Sequence, residues 1–266
     1  MNQEWELKRD IIEIGRRIWT RGYVGANDGN ITVALNDSEL LTTPHGVSKG
    51  FMTPEMIIKV DRNAKVIAGN SKYHPSSEVK MHLEVYKERP DVKSVIHAHP
   101  TYATSFAVAG IPLDKCVLPE AILVIGAVPT AKYGLPSTME LAESIQEHVK
   151  HSDAILLENH GAITLGTDLF DAYYKMETLE HAATIVWKAI QLGNVNVLSE
   201  DERGRLLGLR EKFKLQGRVA TCDVTPMPSS ERPNLTAPAP SAGKNQISEE
   251  YIREITEKVL AKIKKN

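Results

Sequence analysis

Apolar and polar positions follow two rhythms along the chain. Trp5, Ile11, Ile12, Ile18 and Trp19 recur at helical spacing between charged residues, which predicts a first helix over 3–21. Gly22, Gly25, Asn27, Asp28, Gly29 and Asn30 then predict a glycine-rich turn. Residues 31–35 and 39–43 read as short strands joined by the hairpin signal Asn36-Asp37-Ser38, and 56–60 with 64–68 as a second strand pair. An amphipathic helix is expected over 77–89, entered through Pro75-Ser76-Ser77. A strand over 94–99, a helix over 101–109, a helical stretch over 137–150 and buried strands over 154–157 and 162–165 follow. Helices over 168–192 and 199–213 complete a core domain over 1–224, without an internal repeat.

The composition then shifts. Residues 225–246 hold Pro226, Pro228, Pro233, Pro238 and Pro240 among Ser, Ala and Gly, which describes an extended linker. Over 247–266, Ile252, Ile255, Val259 and Ile263 form one apolar stripe of an amphipathic helix, with Ser248 as its N-cap. So short a helix is marginal alone and needs a surface to cover its stripe. Its own core or a neighbouring subunit, another tail, or a groove on a different protein would serve.

Charge narrows the function. Lys plus Arg is 32 and Asp plus Glu is 34, a net charge of −2, without the basic excess of a nucleic-acid binder. No apolar run approaches the ~20 residues of a membrane helix. The N-terminal MNQEWELKRD lacks the apolar core of a signal peptide. Cys116 and Cys222, the only cysteines, are expected to form neither a disulfide framework nor a metal site, which points to a reducing, cytoplasmic location. The nine histidines are then the notable reagents.

His97-Ala98-His99 ends an apolar strand. Residues i and i+2 of a strand share a face, so both imidazoles can reach one metal ion. His160, followed at once by Gly161 after the strand over 154–157, can be aimed at the same ion by a turn. Three imidazoles with one open position are a usual catalytic zinc set, and neutral ligands leave the ion its full charge to stabilise an oxyanion. Two hydrogen-bonded histidines at a half-buried strand end are the plainer alternative. His45, His74, His82, His148, His151 and His181 lack this arrangement, and the last four fall on expected helix faces as surface or packing residues.

Glu78 stands where a loop becomes a helix. It can simply complement the helix dipole while Ser76 or Ser77 caps the helix. It can also move a proton at a carbon beside a polarised carbonyl. The two serines at a helix start suit a phosphate, as do Gly29-Asn30 and His45-Gly46 in their turns.

In this order, Gly29-Asn30, Thr43-Pro-His-Gly46, Pro75-Ser-Ser-Glu78, His97-Ala-His99 and Asn159-His-Gly161 resemble the class II sugar-phosphate aldolase family, over about residues 5–215. This is the family of L-fuculose-1-phosphate aldolase and L-ribulose-5-phosphate 4-epimerase. The resemblance implies an α/β fold, three-layer α/β/α with a largely antiparallel central sheet. It implies Zn2+ on His97, His99 and His160, and Glu78 as catalytic acid/base. Gly29, Asn30, Gly46, Ser76 and Ser77 would hold the substrate phosphate. It also implies a homotetramer with sites at subunit interfaces. The epimerase branch carries Asp in place of Glu78, so an aldolase is favoured. His45 replaces a small hydroxyl residue of the fuculose-phosphate enzymes, and residues 118–121 lack their proton-donating tyrosine, Tyr133 being the nearest phenol.

The expected reaction is cleavage of a fuculose- or rhamnulose-type deoxy-ketose 1-phosphate to dihydroxyacetone phosphate and a small aldehyde such as lactaldehyde. A 4-epimerase, a thio-sugar-phosphate dehydratase and a non-catalytic binding module are the alternatives. The linker and terminal helix resemble encapsulation peptides of bacterial microcompartment enzymes. That resemblance implies a shell-protein partner for 247–266 and a place in the compartment lumen.

Overall fold

The computed structural model describes residues 3–226. The rest of the linker and the helix expected over 247–266 lie outside the described residues.

In chain order the elements are α1 (Gln3–Thr20), β1 (Asn30–Ala34), β2 (Glu39–Thr42), β3 (Ile58–Asp61), β4 (Val66–Ala68), α2 (Val79–Glu88), β5 (Ser94–Ala98), α3 (Thr101–Ala109) and α4 (Pro119–Val124). Then come β6 (Thr130–Ala131), α5 (Met139–Ser144), α6 (Gln146–Val149), β7 (Ala154–Leu157), β8 (Gly161–Gly166), α7 (Leu169–Gln191) and α8 (Glu200–Lys212). Two 3-10 turns, Lys49–Phe51 and Pro54–Met56, lie between β2 and β3.

The sheet runs β4-β3-β2-β1-β5-β8-β7-β6, with every pairing antiparallel except β6 with β7. Strand alternation builds its two faces. Ile31, Val33, Leu41 and Ile96 turn to one side, where Ile11, Ile14 and Ile18 of α1, Phe106 of α3 and Met176 of α7 pack. Leu40, Val95, Ile155 and Ile163 turn to the other, against Met81 and Val85 of α2, Leu141 of α5 and Val149 of α6. Helices therefore cover both faces of a largely antiparallel sheet, in three layers.

The hairpin turn has a local cause: Asn36 Oδ1 accepts from the backbone N–H of Ser38 and Glu39. Asp168 caps α7, and Ser199 with Glu202 forms a capping box on α8.

Three local expectations change. The stretch over 137–150 is two short helices, with Ser144 Oγ donating back to the Leu141 carbonyl where α5 ends. The short elements α4 and β6 had no periodic signal long enough to read. The expected thiols are a disulfide: Cys116 and Cys222, 106 residues apart, are bonded. Here the chain returns alongside its own loop, with Cys116 N donating to Asp223 O and Asp223 N to Asp114 O. Sequence spacing carries no sign of that return. Among the described residues no helix is long and apolar enough to cross a membrane.

Candidate active site

Register puts the site together. In the sheet Asn30 lies opposite His97, and Ala98 opposite Ala162, so the ends of β1, β5 and β8 meet. His97 points from β5 and His99 follows it on the same side, with ring centroids 4.9 Å apart. His160 stands in the turn between β7 and β8, where Asn159 adopts a left-handed φ of 55°. Its ring is 4.7 Å from His97 and 5.2 Å from His99, centroid to centroid. Ligand atoms of the three histidines all lie within 4.8 Å of one another.

Gly161 makes this packing possible. A Cβ there would meet His99 Cδ2 at 2.5 Å and the Ala98 carbonyl at 2.6 Å. Gly29, at φ 73°, is constrained similarly, since a Cβ would meet the His97 carbonyl at 2.9 Å.

Glu78 closes the cluster. It occupies the N-cap position of α2 but makes no side-chain cap bond there. The carboxylate turns instead to the histidines, with Oε1 3.3 Å from His160 Nε2 and Oε2 3.4 Å from His97 Nε2. Asn30 Nδ2 donates to Oε2 at 2.7 Å. Burial raises the Glu78 pKa, but the His160 hydrogen bond, the charges of His97 and His160 and the Asn30 amide outweigh it and hold the carboxyl well below its usual range.

His97 and His99 favour their neutral forms. Burial pushes His97 down to about 3 against the attraction of Glu78. Its Nδ1 lies 2.9 Å from the Ala162 carbonyl, so the ring donates there and leaves Nε2 as a lone pair. That lone pair lies 3.1 Å from His99 Nε2. Burial, aided by the charge of His160, also lowers His99. Asp28 Oδ2, 3.4 Å from His99 Nδ1, opposes that shift.

These residues suit a divalent ion. Two ligands about 2.0–2.1 Å from a tetrahedral ion lie roughly 3.3 Å from each other. The His97–His99, Glu78–His160 and Glu78–His97 separations of 3.1, 3.3 and 3.4 Å are of that size. His160 Nδ1 and Asn30 Oδ1 are buried without a hydrogen-bond partner.

The other expected residues gather beside Glu78. Ser76 N donates to the Thr43 carbonyl at 3.3 Å and His45 N to the His74 carbonyl at 2.8 Å, so the loops at 43–46 and 74–78 run side by side. Gly46 is at φ 70°, and Ser76 Oγ accepts from Glu78 N at 3.4 Å. Ser77 is exposed and accepts from Ser137 Oγ at 2.7 Å. Tyr133 is 55% exposed, and its backbone N–H donates to Glu158 rather than to the histidine cluster. Two neighbours escaped the sequence reading. Asp28 lay in the expected turn without a role, and Ser137, in a left-handed conformation at φ 68°, gave no signal. His82 is a packing residue as expected, fully buried on Thr32 Oγ1 at 2.9 Å.

The family described as class II aldolase and adducin N-terminal domain matches residues 9–187. The chain belongs to this family. The chain is 38% identical over 177 residues to the L-fuculose phosphate aldolase of Methanococcus maripaludis, covering 66% of this chain and 93% of that protein. It is 30% identical over 191 residues to the 3-oxo-tetronate 4-phosphate decarboxylase of Pectobacterium atrosepticum, covering 70% and 86%. A solved L-fuculose 1-phosphate aldolase superposes with a TM-score of 0.72 at 31% identity, covering 79% of this chain and 97% of that one. The chain thus stands among enzymes with aldolase-, epimerase- or decarboxylase-type chemistry on sugar phosphates.

Proposed function

We propose that this class II aldolase is a zinc-dependent lyase that cleaves a deoxy-ketose 1-phosphate of the fuculose or rhamnulose type. The products are dihydroxyacetone phosphate and a small aldehyde such as lactaldehyde. The observation that carries the reading is the Glu78 carboxylate, 3.3 Å from His160 Nε2 and two residues after Ser76. Proton transfer and phosphate binding are thereby offered within one short stretch of chain.

In this reading His97, His99 and His160 hold the ion, whose Lewis acidity stabilises negative charge on the substrate's carbonyl oxygen. Gly29, Asn30, Gly46, Ser76 and Ser77 bind the phosphate and so fix the three-carbon end of the sugar. The Glu78 carboxylate takes the proton of the C4 hydroxyl, the C3–C4 bond breaks, and its electron pair stays with the phosphate-bearing fragment; Glu78 then returns that proton to C3. Asn30, donating to Oε2, orients the carboxyl for that transfer.

Decarboxylation is the second reading. Residues 118–121, Leu-Pro-Glu-Ala, supply no phenol to exchange a proton with the C4 oxygen, and loss of carbon dioxide needs no such group. A 3-oxo-tetronate 4-phosphate that loses its carboxylate would also give dihydroxyacetone phosphate. The test must therefore follow the second product. The chain is incubated with fuculose 1-phosphate, rhamnulose 1-phosphate and a 3-oxo-tetronate 4-phosphate, and aldehyde and carbon dioxide are quantified alongside dihydroxyacetone phosphate. Aldehyde from a ketose 1-phosphate supports the aldolase, and carbon dioxide alone supports the decarboxylase. Neither product overturns both.

We also propose a cyclic homotetramer and a shell-binding role for 247–266. Removing 226–266 is expected to keep activity and abolish co-purification with shell proteins. Unchanged co-purification contradicts the targeting role, and a monomeric mass in light scattering contradicts the tetramer.

A further inference from the structure

Lys49 is 1% exposed, yet it carries an ammonium. Its Nζ donates to the Asn27 carbonyl at 3.0 Å and to the Val47 carbonyl at 2.7 Å. Among the described residues it forms no ion pair. A cation so deeply placed is costly unless a negative group compensates it. Its two acceptors belong to the two turns of the phosphate cradle proposed above. Asn27 opens the turn that holds Gly29 and Asn30, and Val47 follows Gly46.

We propose that Lys49 is a positioning residue of the phosphate site: it ties the turn at 27–30 to the turn at 44–47 and supplies the positive charge that selects a dianionic phosphoryl group. The proposal rests on the reading of Gly29, Asn30, Gly46, Ser76 and Ser77 as a phosphate cradle and adds a member that none of their side chains replaces. None of those five carries a positive charge. The two carboxylates that act on Lys49 through space are Asp28, in the first turn, and Glu78, ahead of α2. Both are engaged elsewhere, Asp28 beside His99 and Glu78 beside His97 and His160.

Burial depresses the ammonium to about 8, with Asp28 and Glu78 opposing that shift. A bound dianion favours the protonated form, so by linkage phosphate affinity is full while Lys49 is protonated and is lost as pH rises past about 8.

The probe is inorganic phosphate, titrated onto the full-length chain before and after divalent ions are removed with a chelator. The component that survives chelation reports on the cradle. Lys49→Met is expected to weaken it about tenfold, Lys49→Arg to restore part of the loss, and metal content to stay unchanged. The unmodified chain should lose affinity above pH about 8, while Lys49→Met should be flat there. Equal affinity in folded Lys49→Met, or a flat profile in the unmodified chain, overturns the role of Lys49 alone. No chelator-resistant phosphate binding by the unmodified chain overturns the cradle reading and this proposal with it. If Lys49→Met does not fold, the pH profile of the unmodified chain decides.

Discussion

Glu78 Oε1 lies 3.3 Å from His160 Nε2, although one residue is carried by a helix start and the other by a strand turn 82 positions later. The other carboxylate oxygen is fixed by the Asn30 amide at 2.7 Å. The group is held at the histidine cluster without being spent on capping α2. Glu78→Gln keeps the shape and removes the carboxylate that accepts and returns the proton. Turnover is expected to fall by about 10²–10⁴, while metal content, read by elemental analysis, stays at the unmodified level. Undiminished turnover would remove Glu78 from the chemistry.

Gly161 is the residue that lets the three rings approach. In Gly161→Ala the new Cβ meets His99 and the Ala98 carbonyl, so the β5–β8 end must shift. Overpacking of this kind costs about 1–3 kcal/mol. Unfolding in urea should show that loss, and competition with a metallochromic chelator should show weaker metal binding. Unchanged metal affinity would mean that the cluster tolerates the displacement.

Much of this site was legible in the sequence because its parts obey local rules. His97 and His99 share a face by strand alternation, and Pro75-Ser76-Ser77 announces the start of α2. What local rules cannot supply is which distant pieces meet. The Asn30–His97 register, the return of 222–225 beside 114–116, and the approach of Ser137 to Ser77 are set by packing across the whole sheet. Lys49 was hidden for the same reason. Its neighbours in sequence, Ser48 and Gly50, say nothing of a buried ammonium.

The disulfide gives a direct thiol count. Denatured, unreduced protein should show no reactive thiol, and reduced protein two, matching Cys116 and Cys222. Closing so long a loop is worth about 2–5 kcal/mol. Reductant should therefore lower the urea midpoint, and Cys222→Ser should make stability insensitive to it. Two free thiols in freshly isolated protein would show the pair reduced.

His82 adds a pH dependence. Burial holds it neutral in the fold, pushing it down to about 3. The unfolded chain takes up that proton near ~6.5. Between these values the unfolded state binds more protons, so stability is complete above ~6.5 and declines as pH falls toward 3. For this group the slope is at most ~1.4 kcal/mol per pH unit. His82→Asn, which keeps a polar atom facing Thr32, should show a shallower acid slope in urea unfolding. An unchanged slope would assign the acid sensitivity to other groups.

His97, His99 and His160 are proposed together to hold one divalent ion. Elemental analysis of the purified chain, beside its His160→Ala variant, measures that ion. About one zinc per chain is expected in the unmodified protein and almost none in the variant, with both folded. Equal metal in the two, or none in the unmodified protein after growth with zinc, would contradict it.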